Sequence, residues 1–290
     1  MFRKRRRNAE TKLEDLSQRL VPIYSKAPCA FLIHNLFSSE ECTHLIRRAK
    51  EAGFEKATVE GPDGDQITRR DIRSCGRCII DDDTLADSIF EKIQNAIRGK
   101  QPFEGKVMHA PWVSSSSKAS VQHNNIEDND RITAVGLNER LRFMKYTKGH
   151  FFAPHQDIAF TRGSEFGDEK AGETSHITVQ IYLNDKFKGG TTRFVCGQRY
   201  YDVQPRKGSA LIFDHDLLHE ATLVTRGQKY SVRTDIMFKR DYNQIIPLKQ
   251  EMAAIPEATE DDTFPNVLRT PNDTEDDTRI RKVTFHSDLR

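Results

Sequence analysis

Residues 177–183 read Ile-Thr-Val-Gln-Ile-Tyr-Leu, a run in which β-branched and aromatic side chains predominate. Two later runs have the same character, Ala-Leu-Ile-Phe at 210–213 and Tyr-Ser-Val-Arg-Thr-Asp-Ile-Met-Phe at 230–238. Such residues favour strands because their side chains fit a pleated, half-buried surface. Glycines that mark turns between and beside these runs are Gly189, Gly190, Gly197, Gly208 and Gly227. Short strands joined by glycine-containing turns are typical of a β-sandwich or barrel.

Two segments upstream of these strands predict helices. Ser38 and Glu41 have the spacing of a capping box and precede apolar residues at helical intervals over 42–49. A second periodic stretch covers 85–97, with Asp83 or Thr84 as its cap. Helices first and strands afterwards predict an α+β fold with a β core.

The composition divides the 290 residues into three parts. Residues 1–20 open with a basic cluster at 3–7 and are predicted to be a flexible amino terminus. Residues 249–290 repeat the acidic motif Thr-Glu-Asp-Asp-Thr and hold few large apolar residues, so a largely disordered acidic tail is predicted. The folded domain is therefore placed at 21–248, with a polar surface loop at 114–131.

Charge and hydropathy exclude several classes of protein. The net charge of +2 provides no general attraction to nucleic acid or to a membrane surface. No apolar run approaches the roughly 20 residues of a spanning helix, and the basic start is followed by polar residues rather than by an export signal. We therefore expect an intracellular protein, cytoplasmic or nuclear, with no membrane partner. The basic cluster keeps nucleic acid among the partners to be considered.

A motif of the form His-x-Asp begins the chemical argument. His155 and Asp157 are two residues apart, so on an extended segment their side chains point to the same side and can reach one ion. His219 lies 64 residues later, after a predicted strand. Two imidazoles and one carboxylate form the facial triad that holds non-haem Fe(II) and leaves coordination positions open. His155, Asp157 and His219 are the predicted iron ligands and catalytic residues, and His215 is the competing histidine.

Two cations follow His219 on one predicted strand. Lys229 comes ten residues after it and Arg233 four residues further on, so both can point to the same side of the strand. A 2-oxo acid that chelates the iron needs a fixed cation for its far carboxylate. Lys229 and Arg233 both remain candidates for that role.

Several segments resemble the prolyl 4-hydroxylase-like branch of the Fe(II)- and 2-oxoglutarate-dependent dioxygenases. They are Leu-Arg-Phe-Met-Lys-Tyr at 141–146, the His-x-Asp motif, Tyr-Leu-Asn-Asp at 182–185, Gly-Gly-Thr-Thr-Arg-Phe at 189–194, Pro-Arg-Lys-Gly-Ser-Ala-Leu-Ile-Phe at 205–213, His219, and Gly-Gln-Lys-Tyr at 227–230. The likeness is strong over about 140–240 and weaker over 28–54. It implies a double-stranded β-helix (jelly-roll) core with N-terminal flanking helices, and a catalytic core at about 139–240.

The resemblance also implies an activity. Its cofactors would be Fe(2+) and 2-oxoglutarate, with L-ascorbate as reductant, and Tyr146 would hydrogen-bond the 2-oxoglutarate. The implied reaction uses dioxygen to hydroxylate a C–H bond of a prolyl-type peptide or a polar small molecule, and it releases succinate and CO2. Tyr230 stands where collagen-type enzymes carry tryptophan, so the resemblance by itself does not assign proline as the substrate. The alternative is a non-catalytic β-barrel binding or scaffold module with a vestigial metal site.

Two further motifs have simpler interpretations. Cys75 and Cys78 have the spacing of a redox or metal motif, but no second pair completes a zinc site. Four arginines between 69 and 77 form a basic run. We interpret this run as a solvated, partly self-paired segment, with substrate contact as the alternative.

Overall fold

The structure, a computed structural model, describes residues 10–24, 28–60, 66–98 and 132–240. The expectations for the basic cluster at 3–7, the polar loop at 114–131 and the acidic tail at 249–290 lie outside these residues. None of the helices in the described ranges has the length and apolar character needed to cross a membrane.

The elements follow one another in an order that mixes strands and helices. The helices are α1 (Ser17–Tyr24), α2 (Ser39–Ala52) and α3 (Asp83–Ile97), with a 3-10 turn at Ser164–Phe166. The strands before the core are β1 (Lys12–Asp15), β2 (Ala30–His34), β3 (Glu55–Lys56), β4 (Val59–Glu60), β5 (Gln66–Ile67), β6 (Arg73–Ser74), β7 (Gly76–Asp81) and β8 (Ile132–Leu137). The remaining strands are β9 (Arg140–Tyr146), β10 (Phe151–His155), β11 (Thr174–Tyr182), β12 (Lys188–Gly189), β13 (Thr192–Cys196), β14 (Arg199–Val203), β15 (Ala210–Asp214), β16 (His219–Ala221), β17 (Val224–Arg226) and β18 (Lys229–Arg240).

Two antiparallel sheets form the core. The larger sheet has the order β1-β2-β15-β11-β18-β9-β7-β3, and β8 also pairs with β18. The smaller sheet has the order β14-β13-β16-β10-β6. From β9 onward the chain passes repeatedly from one sheet to the other, which is the winding of a double-stranded β-helix. The predicted fold class is therefore confirmed.

The two sheets pack against each other through aromatic side chains. The ring of Phe194 on β13 meets that of Phe213 on β15 edge to face, with centroids 5.2 Å apart. Both side chains are almost fully buried, together with Tyr182 and Leu211. Burial of large rings is the main source of stability in such an interface.

The helices α2 and α3 cover the larger sheet. Leu45 of α2 and Ile89 of α3 are buried in one cluster with sheet residues such as Val179. The predicted capping box of α2 is confirmed, since Ser38 Oγ accepts from Glu41 N–H at 3.1 Å and Glu41 Oε2 accepts from Ser38 N–H at 2.7 Å.

The cap of α3 lies one residue before the predicted position. The side chain of Asp82 accepts a hydrogen bond from Leu85 N–H at 2.9 Å. Its backbone is extended, with φ −156°, whereas Asp83 already belongs to the helix. The expectation of Asp83 or Thr84 as the cap was therefore wrong by one or two residues.

The folded domain starts upstream of residue 21. β1 pairs with β2 along its whole length, and β2 in turn pairs with β15 of the core. Leu16 and Leu20 are 1% and 0% exposed and pack beside Phe213 and Leu217. The segment from β1 through α1 thus contributes side chains to the core.

Candidate active site

The three predicted iron ligands come together where two strands of the smaller sheet meet. His155 ends β10, Asp157 follows two residues later, and His219 begins the neighbouring strand β16. The antiparallel register places His155 opposite His219. One possible ligand atom from each of the three side chains lies within 4.8 Å of the other two.

Backbone carbonyls orient both imidazoles. Nδ1 of His155 lies 2.8 Å from the carbonyl oxygen of Ala153, and Nδ1 of His219 lies 2.8 Å from that of Leu217. Because a carbonyl can only accept, Nδ1 carries the proton and Nε2 keeps its lone pair. The two Nε2 atoms are 3.9 and 3.8 Å from the oxygens of Asp157. The nitrogen lone pairs and the carboxylate therefore converge on one point.

Burial keeps both imidazoles neutral. Burial, with a smaller contribution from the neighbouring His219, lowers the pKa of His155 to about 3. The pKa of His219 is also lowered, again chiefly by burial. A neutral imidazole is the form that binds a metal, so both rings are ready to act as ligands near pH 7.

Asp157 is held as a carboxylate. Burial is the largest single effect and by itself would raise its pKa, but the positive charge of Arg233 and the smaller contributions of His219, His155 and the Thr178 hydrogen bond together outweigh it and keep the pKa below its usual range. Nη2 of Arg233 lies 3.0 Å from Oδ1 of Asp157, and Thr178 Oγ1 donates to Oδ2 at 2.5 Å. The main chain is fixed as well, since Asp157 N–H donates to the carbonyl oxygen of His215 at 2.9 Å.

Aromatic rings fix the imidazole planes. Phe152 stacks on His155 with centroids 3.6 Å apart, and Phe213 meets His219 edge to face at 4.7 Å. His215, the competing histidine, does not join this group. Its Nε2 lies 3.4 Å from Asp235 instead. Its contact with the ligand group is through the backbone, since its carbonyl oxygen accepts from Asp157 N–H.

The two candidate cations have different surroundings. Lys229 is 2% exposed and donates to the carbonyl oxygen of Gly190 at 2.8 Å, but it forms no ion pair with any carboxylate of the described chain. Burial lowers its pKa to about 7. Arg233 is already paired, since Nη2 lies 3.0 Å from Asp157 and 2.9 Å from Asp235. Lys229 is thus the cation with charge to offer an incoming carboxylate.

Tyr146 lies next to Lys229. β9 and β18 pair so that the two residues are direct neighbours, and Nζ of Lys229 is 5.2 Å from the centre of the Tyr146 ring. The phenol is buried, and its hydroxyl donates a weak hydrogen bond to the sulfur of Met144 at 3.5 Å. The hydroxyl therefore retains capacity to donate to a ligand beside Lys229.

One cavity of about 640 Å³ joins these groups. All six predicted site residues line it, namely Tyr146, His155, Asp157, His219, Lys229 and Arg233. A cavity of that volume has room for a small dicarboxylate and part of a second substrate.

The sequence argument missed Thr178 and Asp235. Thr178 and Gln180 are polar residues at alternate positions of the apolar strand β11, and this alternation could have revealed an inward-facing polar side chain. Asp235 bridges Arg233 and Arg142, at 2.9 and 3.1 Å. The contact of Arg233 with Asp235 follows the two-residue spacing of one strand, but the contact with Arg142 joins two strands, and no spacing rule could have predicted it.

The motif of Cys75 and Cys78 forms no metal site within the described chain. Both thiols are free and buried. The sole cluster of His, Cys, Asp and Glu side chains that could hold a metal among the described residues is the one formed by His155, Asp157 and His219.

Comparison with known proteins identifies the family. The family model described as the 2OG-Fe(II) oxygenase superfamily matches residues 141–234. Probable prolyl 4-hydroxylase 8 of Arabidopsis thaliana is 27% identical over 239 residues, which cover 73% of this chain and 70% of that protein. Probable prolyl 4-hydroxylase 6 of the same plant is 28% identical over 235 residues, covering 71% and 68%. The crystal structure of a prolyl-4-hydroxylase from Pseudomonas putida aligns with a TM-score of 0.47 and 15% identity, covering 76% of this chain and 98% of that one.

The matched range contains every predicted site residue, from Tyr146 to Arg233. Its strands supply both sheets of the core, including β10 and β16 with the His-Asp-His cluster. Residues 141–234, which hold the site, therefore match the 2OG-Fe(II) oxygenase superfamily, and the comparisons support a prolyl 4-hydroxylase-like, 2-oxoglutarate-dependent dioxygenase that uses Fe(II) and 2-oxoglutarate.

Proposed function

We propose that His155, Asp157 and His219 bind the catalytic Fe(II), that Lys229 with Tyr146 binds 2-oxoglutarate, and that the substrate is a prolyl-type peptide. The observation that carries the proposal is the convergence of three ligand atoms within 4.8 Å in the same cavity as a buried, unpaired lysine.

The residues present fit the metal that the family uses. Two imidazole nitrogens and one carboxylate oxygen are the donor set of a non-haem Fe(II) site with open positions. Each imidazole has its Nδ1 hydrogen-bonded to a carbonyl, at 2.8 Å in both cases, which is the support that metal-binding histidines usually have. The carboxylate is supported too, by Thr178 and Arg233.

The residues present also fit 2-oxoglutarate. The ammonium group of Lys229 is taken out of water with only the carbonyl of Gly190 as hydrogen-bond partner, and a carboxylate would compensate this cost. A carboxylate placed beside Lys229 would raise the lysine's pKa again from about 7, so that the bound pair is charged. The hydroxyl of Tyr146 can donate to the same carboxylate. Arg233 is left to position Asp157.

When bound, Fe(II) and 2-oxoglutarate supply the oxidative chemistry, in which dioxygen hydroxylates a C–H bond and 2-oxoglutarate leaves as succinate and CO2. The chain binds and orients the reactants and excludes water. Phe152 and Phe213 shield the two imidazoles and hold their planes, while Lys229 and Tyr146 fix the far end of the co-substrate. Prolyl hydroxylases commonly use ascorbate, and L-ascorbate is the reductant that we expect to maintain Fe(II) here.

A peptide is the substrate that the relatives favour. The curated relatives that match over about 70% of this chain are named prolyl 4-hydroxylases. Apolar side chains also line the cavity, among them Ile158, which is 70% exposed and free to contact a bound chain. The non-catalytic scaffold is not favoured, because it would not require the oriented imidazoles. Nothing in the comparisons supports nucleic acid as a partner.

Succinate formation tests the proposal. The full chain is reconstituted anaerobically with Fe(II), 2-oxoglutarate and ascorbate, exposed to air, and screened with proline-containing peptides, free amino acids and other small polar molecules. We expect oxygen-dependent succinate, stimulated by proline-containing peptides. Substitution Asp157→Ala should reduce it to background, whereas Asp87→Ala, which removes an exposed carboxylate on α3, should leave it unchanged. Undiminished succinate in Asp157→Ala would contradict the assignment of the iron ligands.

A further inference from the structure

Two arginines on the cavity wall have no carboxylate partner within the described chain. Four arginines line the cavity. Arg142 and Arg233 form ion pairs with Asp235 at 3.1 and 2.9 Å. The other two, Arg73 and Arg77, form no ion pair with any carboxylate that the structure describes, and we call them the arginine pair.

One threonine holds the arginine pair together. Nη1 of Arg73 donates to the carbonyl oxygen of Thr58 at 3.3 Å, and Nη2 of Arg77 donates to Oγ1 of the same residue at 2.9 Å. Burial lowers the pKa of Arg77, and the nearby charge of Arg73 lowers it further. Two like charges held side by side are costly unless an anion joins them.

Both side chains retain hydrogen-bond donors. The remaining side-chain contacts of Arg73 go to sulfur atoms, Cys75 Sγ at 3.4 Å and Met144 Sδ at 3.3 Å, and sulfur is a weak acceptor. The guanidinium of Arg77 donates one hydrogen bond to Thr58 through Nη2. A guanidinium has five N–H donors in a planar fork that matches a carboxylate or a phosphate.

The arginine pair lies one aromatic ring away from a proposed iron ligand. β6 pairs with β10 so that Arg73 is opposite Phe152. The guanidinium of Arg73 is 4.5 Å from the centre of the Phe152 ring, whose other neighbour is His155 at 3.6 Å. An anion on the arginine pair would therefore lie close to the bond that is hydroxylated.

The cofactors do not neutralise this positive charge. Fe(II) and 2-oxoglutarate carry equal and opposite charges, and Lys229 is already assigned to the distal carboxylate. Glu220 also lines the cavity, but it lies 3.6 Å from Arg193. Glu55, the β-sheet neighbour of Arg77, acts on its pKa less than Arg73 does and forms no ion pair with it among the described contacts.

The basic run is therefore divided into two functional parts. Arg69 is exposed and paired with Asp71 at 2.6 Å, as a solvated, self-paired segment would be, and it does not line the cavity. The arginine pair faces the cavity instead. The difference arises because Arg73 lies on β6 and Arg77 lies on β7, and both strands border the cavity.

We propose that the arginine pair binds an oxyanion on the peptide substrate, a carboxylate of Asp or Glu or a phosphate, a few residues from the position that is hydroxylated. This inference rests on the proposed function, because it specifies the substrate class of the same cavity. It makes the enzyme selective for acidic sequences around its target.

The test uses peptides that differ in one charge. Fluorescent peptides with a central proline carry Asp, Asn, phosphoserine or Lys at one flanking position, which is moved along the peptide. Their binding to the full chain, loaded with Mn(II) and 2-oxoglutarate, is measured by fluorescence anisotropy. At one position we expect Asp or phosphoserine to bind about tenfold tighter than Asn, as charge-assisted hydrogen bonds require. The comparison of Asp with phosphoserine distinguishes the two oxyanions.

Variants locate the effect. Arg77→Gln should remove the preference for the acidic peptide, Arg77→Lys should keep part of it, and Arg77→Glu should shift the preference toward the Lys peptide. Arg69→Gln is the matched control from the same run and should behave as the wild type. Partial retention in Arg77→Lys and a reversed preference in Arg77→Glu would show that charge, not folding, is responsible.

Other outcomes would overturn the inference. Equal binding of the Asp, phosphoserine and Asn peptides, no binding of any peptide, or a preference that survives in Arg77→Gln would each contradict it. Calorimetric binding of 2-oxoglutarate without peptide is measured in parallel. If 2-oxoglutarate binds normally but the peptides show no charge preference, only the oxyanion site is contradicted. If 2-oxoglutarate does not bind, the proposed function itself is contradicted.

Discussion

The proposed iron ligands, His155, Asp157 and His219, form the floor of the cavity, and the arginine pair lies on its wall. The two regions differ in how completely their side chains are paired. On the floor, Asp157 contacts Thr178 and Arg233, and each imidazole donates to a carbonyl. On the wall, the guanidiniums of the arginine pair contact sulfur atoms and one threonine. Because the side chains of the floor are already paired, they are held in place before substrate binds. This favours rigid positioning of the cofactors. The arginine pair on the wall retains hydrogen-bond donors that can bind the substrate.

Removal of a proposed ligand should have the largest effect. In His219→Ala one of the three converging ligand atoms is lost, and the remaining two should not retain Fe(II) through gel filtration. Metal content is measured after anaerobic loading. His44→Ala, on α2, is the matched control and should keep the wild-type content. Full iron content in His219→Ala would mean that the metal lies elsewhere.

Arg233→Gln should weaken Fe(II) binding by about 100-fold, because it leaves Asp157 and Asp235 as buried carboxylates without their shared cation. At saturating metal, the affinity for 2-oxoglutarate should change little, since Lys229 provides that contact. Arg140→Gln, which removes an exposed partner of Asp81 on the same sheet, is the control. Fe(II) affinity is measured by competition with a chelator. An unchanged Fe(II) affinity would contradict a positioning role for Arg233.

Thr178→Val should lower the Fe(II) affinity by about tenfold, because the isosteric side chain cannot donate to Asp157. Thr178→Ser keeps the hydroxyl and should restore most of the affinity. The same chelator competition measures both variants. Equal losses in the two variants would show that packing, rather than the hydrogen bond, matters at this position.

The affinity for 2-oxoglutarate should depend on pH through the charge of Lys229. The free lysine Lys229 has a pKa of about 7, and a bound carboxylate raises it. Below this pKa the ammonium is already charged, so affinity is constant. Above it, binding must take up a proton, and the dissociation constant should rise by up to about tenfold per pH unit. Calorimetry in two buffers of different ionisation enthalpy detects the proton. In Lys229→Arg, whose guanidinium stays charged, the same proton uptake would contradict this assignment.

The sequence allowed the proposed ligands to be predicted because part of their geometry is local. His155 and Asp157 are related by the period of an extended chain, and His219 and Lys229 are ten residues apart in the sequence. The choice between Lys229 and Arg233 was not predictable, because both face the same side of β18. The ion pairs of Arg233 with Asp157, on another segment, and with Asp235, on the same strand, neutralise Arg233 and so favour Lys229.

The fold shows the same division. The core strands β11, β15 and β18 and the capping box of α2 were visible as local patterns. The pairing of β2 with β15 joins residues about 180 positions apart, and no local pattern encodes it. The arginine pair belongs to this second group. Its position opposite Phe152 depends on the pairing of β6 with β10.

The central claim is that the two cations of the site have different roles. Lys229 binds 2-oxoglutarate, and Arg233 positions Asp157. Calorimetric titration of 2-oxoglutarate into anaerobic, Fe(II)-saturated protein tests this directly. We predict a loss of about 100-fold or more in affinity for Lys229→Ala, where a buried carboxylate would be left unpaired, and near wild-type affinity for Arg233→Gln. The reverse order, with Arg233→Gln losing the co-substrate and Lys229→Ala retaining it, would contradict the account.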